Sequence, residues 1–275
     1  MTEVSLESDY FKTSLEYDRI HLLTGIKQSG KSYMLMQWIK YAMSLKRFSH
    51  YYLMLPGFLT EADDQYAWLK SFSCVTIFTK YSPKIIEMIR KDNKPGSKCF
   101  CLDDSTNYGS EFKTDPSFLE LVTTSRHMKI SMVLVVHSLK SILSTCIRNN
   151  IDNIFMFKIT NENLLKTVYE EYLSALTKDF KNYKEFVGYY IERVNSVKYG
   201  CMFIPLTGTY PAPFDSDVKS WNFMNIKFVI NKKPIKKPLP KKSNNAVKPN
   251  YKKFMLNDKP RNIATNFIRT GRNHQ

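Results

Sequence analysis

Short apolar runs alternate with helix-length segments along most of the chain. Arg19–Thr24 (RIHLLT), Tyr51–Leu55 (YYLML), Cys74–Phe78 (CVTIF), Cys99–Leu102 (CFCL), Ile130–His137 (ISMVLVVH) and Asn153–Lys158 (NIFMFK) read as strands. Several are apolar on successive residues, the pattern expected when helices cover both faces of a parallel sheet. Between them Lys31–Leu45, Pro83–Lys91, Pro116–Arg126 and Leu139–Arg148 have helical length and composition. This alternation predicts an α/β fold with a mainly parallel central sheet flanked by helices. Beyond it Asn161–Val194 reads as helical and Cys201–Pro205 as one further strand.

The pattern stops near residue 230. We read residues 1–16 as an N-terminal extension, 17–230 as one folded domain and 231–275 as a basic tail. The stretch NKKPIKKPLPKKSNNAVKPNYKK has too few apolar residues to offset its ordering entropy by burial, so an extended, flexible segment is expected. The later FMLNDKPRNIATNFIRT has spaced apolar residues suited to a short helix on a partner.

Charge sharpens this division. The net charge is +16, and residues 231–275 hold ten Lys and three Arg against the single acid Asp258, so +12 of it lies in the tail. Such a segment binds phosphate backbones without sequence preference. A solvated extension, a localisation signal or docking on an acidic protein surface are the other readings. No apolar run reaches the length of a membrane span, and the first thirty residues lack the pattern of a secretory leader. The five cysteines, odd in number and mostly in apolar stretches, read as reduced thiols, and Cys99-Phe-Cys101 lacks zinc-site spacing.

The strongest chemical signal is Gly25-Ile26-Lys27-Gln28-Ser29-Gly30-Lys31-Ser32. It matches the phosphate-binding loop G-x-x-x-x-G-K-[ST] and stands between a strand and a helix, as that loop requires. Its glycines let successive amides turn inward, and with the positive end of the following helix, Tyr33 in its first turn, they cradle phosphate. Lys31 is expected at the β- and γ-phosphates of ATP, and Ser32 on Mg²⁺. Lys27 either adds charge near the phosphates or is a solvated loop lysine.

A phosphate loop needs an acidic element on a neighbouring strand. Asp103-Asp104 follows the apolar run CFCL, at the strand end where open α/β sheets bind ligands. Asp103 is expected in the Mg²⁺ shell and Asp104 as the carboxylate that polarises water, with Glu111 the next candidate. His137, closing Ile130–Val136, is either a γ-phosphate sensor or a satisfied surface group. Arg126 and Arg148 are candidates for an arginine finger acting on a neighbouring subunit. Otherwise Arg126 caps its helix and Arg148 pairs with Asp152.

The ordered segments GIKQSGKS, CFCLDDST, SRHMKISMVLVVHS and SILSTCIRNNIDNIFMFKI resemble the viral genome-packaging ATPases of the FtsK–HerA superfamily, nearest the poxvirus type. The resemblance covers roughly residues 17–206 and includes the Asp103-Asp104 pair, Arg126-His127 ahead of a strand, and Arg148 to Asn150 before the last core strand. It implies a ring of five or six ATPase subunits that drives double-stranded DNA into a capsid. Capsid or portal protein is then a partner, and the host cytoplasm or virion assembly site the location. It matches Lys31 and Ser32 to the phosphate and magnesium residues, Asp103 and Asp104 to the acidic pair and Arg126 to the trans-acting arginine. Two features depart from the pattern: His137 stands where Gln is usual, and Lys27-Gln28-Ser29 lacks an extra glycine. A small-molecule kinase shares the loop, but the chain has no evident Arg-rich lid and the basic tail has no use there. A nucleotide-gated adaptor for DNA or capsid protein is the non-enzymatic alternative.

Overall fold

The computed structural model describes residues 15, 18–55, 64–103, 111–139, 143–174, 180, 182–195, 199–206 and 219–222. Asp104, the tail 231–275 and all of the N-terminal extension except Leu15 lie outside the described residues.

Among the described residues eight strands form one sheet: β1 Ile20–Thr24, β2 His50–Met54, β3 Val75–Phe78, β4 Lys98–Leu102, β5 Ile130–Val136, β6 Asn153–Phe157, β7 Gly200–Pro205 and β8 Lys219–Asn222. Their order across the sheet is β3-β2-β4-β5-β1-β6-β7-β8. β1 to β6 pair in parallel, whereas β7 and β8 add antiparallel at one side. All seven residues of β5 are buried, and so are all five of β1, β4 and β6. Their successive apolar residues therefore serve both faces. Ile130, Met132, Leu134 and Val136 pack into one apolar layer, and Val133 and Val135 into the other.

Among the described residues, six α-helices longer than one turn flank the sheet: α1 Lys31–Ser44, α2 Pro83–Arg90, α3 Pro116–Thr124, α4 Thr145–Asn149, α5 Glu162–Val168 and α6 Tyr183–Tyr190. α1 places Met34, Leu35, Trp38, Ile39 and Ala42 in the layer with Val133. The other five contribute Ile86, Ile89, Phe118, Leu121, Val122, Ile147, Leu165, Val168, Phe186 and Tyr190 to the opposite layer. Each buried Leu, Ile or Phe of this kind contributes about 1.5–3 kcal/mol relative to exposure.

Within the expected helix Leu139–Arg148, Leu139 is helical, residues 140–142 lie outside the described residues, and Thr145–Asn149 forms α4, capped by the Ser144 hydroxyl, which accepts from the Ile147 amide. One expected helix differs in form. Asn161–Val194 is two helices, each running into a π turn, Tyr169–Leu173 and Ile191–Asn195. The break was legible in the second N-cap: Asn182 accepts from the Glu185 amide, an Asn-x-x-Glu start signal inside the run.

Candidate nucleotide site

The loop between β1 and α1 is anchored to the end of β6 through its backbone. Ile26 N–H donates to the Lys158 carbonyl just beyond β6 (2.9 Å). Gly25 has φ +152°, and a Cβ there would lie 2.8 Å from Phe157 Cβ, so the close approach of loop to β6 requires glycine. The Tyr190 hydroxyl fastens the supporting segment by donating to the Phe157 carbonyl (2.6 Å) and accepting from the Ile159 amide (2.7 Å).

Lys31 is only 4% exposed, rare for lysine. Its Nζ donates to the carbonyls of Gly25 (2.9 Å) and Ile26 (2.6 Å) and lies 3.2 Å from His137 Nδ1. His137 Nδ1 is also 3.1 Å from the Gly25 carbonyl. The C-terminal end of β5 thus delivers an imidazole to the loop lysine. One residue on, Ser32 Oγ donates to Asp103 Oδ1 (3.1 Å), which joins α1 to the end of β4 across the intervening β5. The Asp103 amide donates to the Met54 carbonyl (3.0 Å), which holds the residue in place.

Sequence reasoning missed Tyr66. It lies in the one-turn helix Asp64–Ala67, is fully buried, and donates its hydroxyl to Asp103 Oδ2 (2.6 Å). Burial, with the Asp103 carboxylate beside it, holds this phenol well above its ordinary pKa. No local pattern marks Tyr66, because the pairing spans 37 positions.

Lys31, Ser32, Asp103 and His137 converge, with Gly25, Ile26, Ser29 and Gly30 forming the loop around them. Lys27 and Gln28 are exposed at the loop tip, and Tyr33 is 37% exposed in the first turn of α1. Glu111 is exposed at the start of the one-turn helix Glu111–Thr114. Arg126 and Arg148 are elsewhere. Arg126, 61% exposed, pairs with the fully buried Asp152, where it joins Arg19 Nη1 (3.5 Å) and the Ile20 amide (2.8 Å). Arg148 pairs with Glu171 (2.8 Å) and donates to the Leu143 carbonyl (2.7 Å). The pairing with Asp152 considered for Arg148 is made by Arg126 instead, because the turns into β5 and β6 flank the start of β1 at the N-terminal edge of the sheet.

The residues present fit a triphosphate and a divalent cation. α2 to α6 each have a capping side chain that accepts from a first-turn amide: Ser82, Asp115, Ser144, Asn161 and Asn182. The N-terminus of α1 has none and no acidic residue in its first turn, so its amides and positive dipole end face the loop. The Ser29 hydroxyl is buried in the loop without a protein hydrogen-bond partner. With Lys31 this is an anion cradle, and the Ser32 hydroxyl beside the Asp103 carboxylate is a hard-oxygen donor set suited to Mg²⁺.

The poxvirus A32 protein family matches residues 7–182, more than half of the chain. The chain belongs to that family. The family is the one that its ordered segments resemble, and the chain is an ATPase. No curated protein matches the chain. Among solved structures, B204, the DNA-packaging ATPase from Sulfolobus turreted icosahedral virus, is similar at 17% identity and TM-score 0.51, covering 69% of this chain and 93% of that one. B204 from Sulfolobus turreted icosahedral virus 2 in complex with ATP-γS has the same identity and coverage and a TM-score of 0.53. The pCW3 conjugation coupling protein TcpA with ATP-γS follows at 14% identity and TM-score 0.51, covering 70% of this chain and 59% of that one. At these identities the likeness establishes a shared fold, that of the phosphate-loop NTPases. No helix of the described residues is long and apolar enough to cross a membrane.

Proposed function

We propose that this chain is an ATP-hydrolysing motor that translocates double-stranded DNA and packages a viral genome into a capsid. The observation that carries the reading is the convergence of Lys31, Ser32 and Asp103 at one strand edge in a chain of the A32 family. The role of B204 as a DNA-packaging ATPase supports it, as does the +12 charge of residues 231–275.

In this reading the Gly25–Ser32 amides and Lys31 bind the β- and γ-phosphates of ATP. Lys31 leaves its carbonyl partners for phosphate oxygens, a stronger charge-assisted contact. Ser32 and Asp103 hold Mg²⁺, which supplies neutralising charge to the phosphate oxygens. Asp104, one residue past Asp103, orients water for in-line attack and accepts its proton. His137, bonded to the loop lysine, reads the γ-phosphate position and passes its loss to β5. Arg126 lies at the opposite edge of the sheet, one strand length or roughly 17 Å from its own loop. It therefore serves the site of a neighbouring subunit, in a ring of five or six copies that engages duplex DNA and a capsid or portal protein.

The test is ATP-dependent displacement of a third strand from triplex-tagged duplex DNA by the full chain. Displacement with ATP and none with ATP-γS supports the motor. Hydrolysis without displacement refutes the motor, and nucleotide binding with neither hydrolysis nor displacement leaves the nucleotide-gated adaptor.

A further inference from the structure

Along the C-terminal edge of the sheet the site has a direction. Asp103 ends β4, His137 ends β5, the phosphate loop leaves β1, and Lys158 follows β6. β7 runs antiparallel to β6 with Cys201 opposite Phe157, so residue 199 enters at this same edge on the flank away from Asp103. At a strand spacing near 4.8 Å, Asp103 and residue 199 each lie about 10 Å from β1, on opposite sides. If the metal-binding end of a nucleoside triphosphate faces Asp103, its base faces residue 199.

That residue is Tyr199, partly exposed. It has φ +60°, an uncommon conformation for a bulky side chain. The next residue, Gly200, admits no side chain, since a Cβ there would lie 2.5 Å from the Val194 carbonyl. The pair turns the chain so that the Tyr199 ring rests on Gly30: a Cβ on Gly30 would lie 3.3 Å from Tyr199 Cδ1 and 3.4 Å from its Cβ. An aromatic ring is thus held by constrained backbone directly against the second loop glycine. Such backbone persists only where the surrounding structure over-determines it, and it clusters at ligand and active sites.

We infer that Tyr199 is the base-side wall of the nucleotide site, its ring stacking on the planar base of the triphosphate held by Gly25–Ser32. This rests on the ATP-binding reading of that loop and adds the group that recognises the nucleobase. An aromatic platform favours any base with a large π face, so purine nucleotides should bind ahead of pyrimidine ones.

The test compares ATP-γS, which has a base, with inorganic tripolyphosphate, which has none, by titration calorimetry on the full chain. Tyr199→Ala and Tyr199→Leu should each weaken ATP-γS binding about tenfold and leave tripolyphosphate binding within about twofold. Tyr199→Phe should bind both as the parent does. Retained tripolyphosphate binding also shows that the variants fold. Equal loss for both ligands would make Tyr199 a support for the loop and overturn the inference, as would unchanged ATP-γS binding in the Ala and Leu variants. Selective loss in Tyr33→Ala with none in Tyr199→Ala would place the base on α1 instead and also overturn it. A parent chain that binds neither ligand would overturn the ATP reading itself.

Discussion

At the C-terminal edge of the sheet the buried Asp103 accepts from two neutral hydroxyls, Ser32 and Tyr66, whereas at the N-terminal edge the buried Asp152 accepts from two guanidinium groups and a backbone amide. Both carboxylates are fully buried. Hydroxyls orient a carboxylate without cancelling its charge, while arginines cancel it. The first arrangement keeps a negative group ready for a cation, and the second ties the turns before β1, β5 and β6 together. One edge is built for ligand chemistry and the other for holding strands, even though Arg126 of the second edge is also the proposed finger.

The largest effect should come from Lys31→Ala. Removing the buried loop lysine should lower ATP turnover about a hundred- to a thousandfold, on the scale of losing a key electrostatic group. The melting temperature should stay within a few degrees of the parent. Phosphate release and a thermal melt check both. Next is Asp152→Asn, which leaves Arg19, buried and positively charged, without its carboxylate. Breaking such a pair costs about 3 kcal/mol, readable as a shifted denaturant midpoint at unchanged nucleotide affinity. A parental midpoint would break the comparison.

Tyr66→Phe should cost about 1–2 kcal/mol, since Asp103 loses a buried donor. It should also raise the Mg²⁺ concentration needed for half-maximal turnover, which a purely packing role would not change. The pH dependence has a definite sign. The folded chain keeps the Tyr66 proton where the unfolded chain releases it near the ordinary tyrosine value of about 10. Its share of stability is therefore full below pH 10 and drains as pH rises past it. Tyr51, Tyr52, Tyr81, Tyr172 and Tyr190 are shifted upward too, chiefly by burial, so Tyr66→Phe should remove only part of the alkaline loss.

Arg126→Ala should change the single chain least. Its guanidinium is 61% exposed and Arg19 still faces Asp152, so the stability cost should be under about 1 kcal/mol. Nucleotide binding should be normal, yet turnover in assembled rings should fail. Mixing Arg126→Ala with Lys31→Ala chains should restore part of it, because an intact arginine can then face an intact loop. No rescue in rings shown to be mixed would reduce Arg126 to the structural role that its Asp152 contact already gives it.

What was legible in the sequence follows the range of each interaction. The core strands were read within a residue or two because continuous apolar runs need no partner to be recognised. The loop was legible because Gly25 to Ser32 is contiguous, and Asp103 because it closes an apolar strand. Tyr66, Tyr199 and the Arg126–Asp152 contact were not, since each depends on which strand edge a distant segment reaches. The strand Lys219–Asn222 escaped notice for a different reason: KSWN carries no apolar run, and only its antiparallel pairing with β7 reveals it.

The central claim, that this site hydrolyses ATP in response to DNA, is tested most directly by one measurement. ATP turnover of the full chain is followed with and without linear duplex DNA, beside Lys31→Ala. The account predicts turnover that rises several-fold with duplex DNA in the parent and is absent in Lys31→Ala under both conditions. Turnover that ignores DNA, or that survives loss of Lys31, would contradict it.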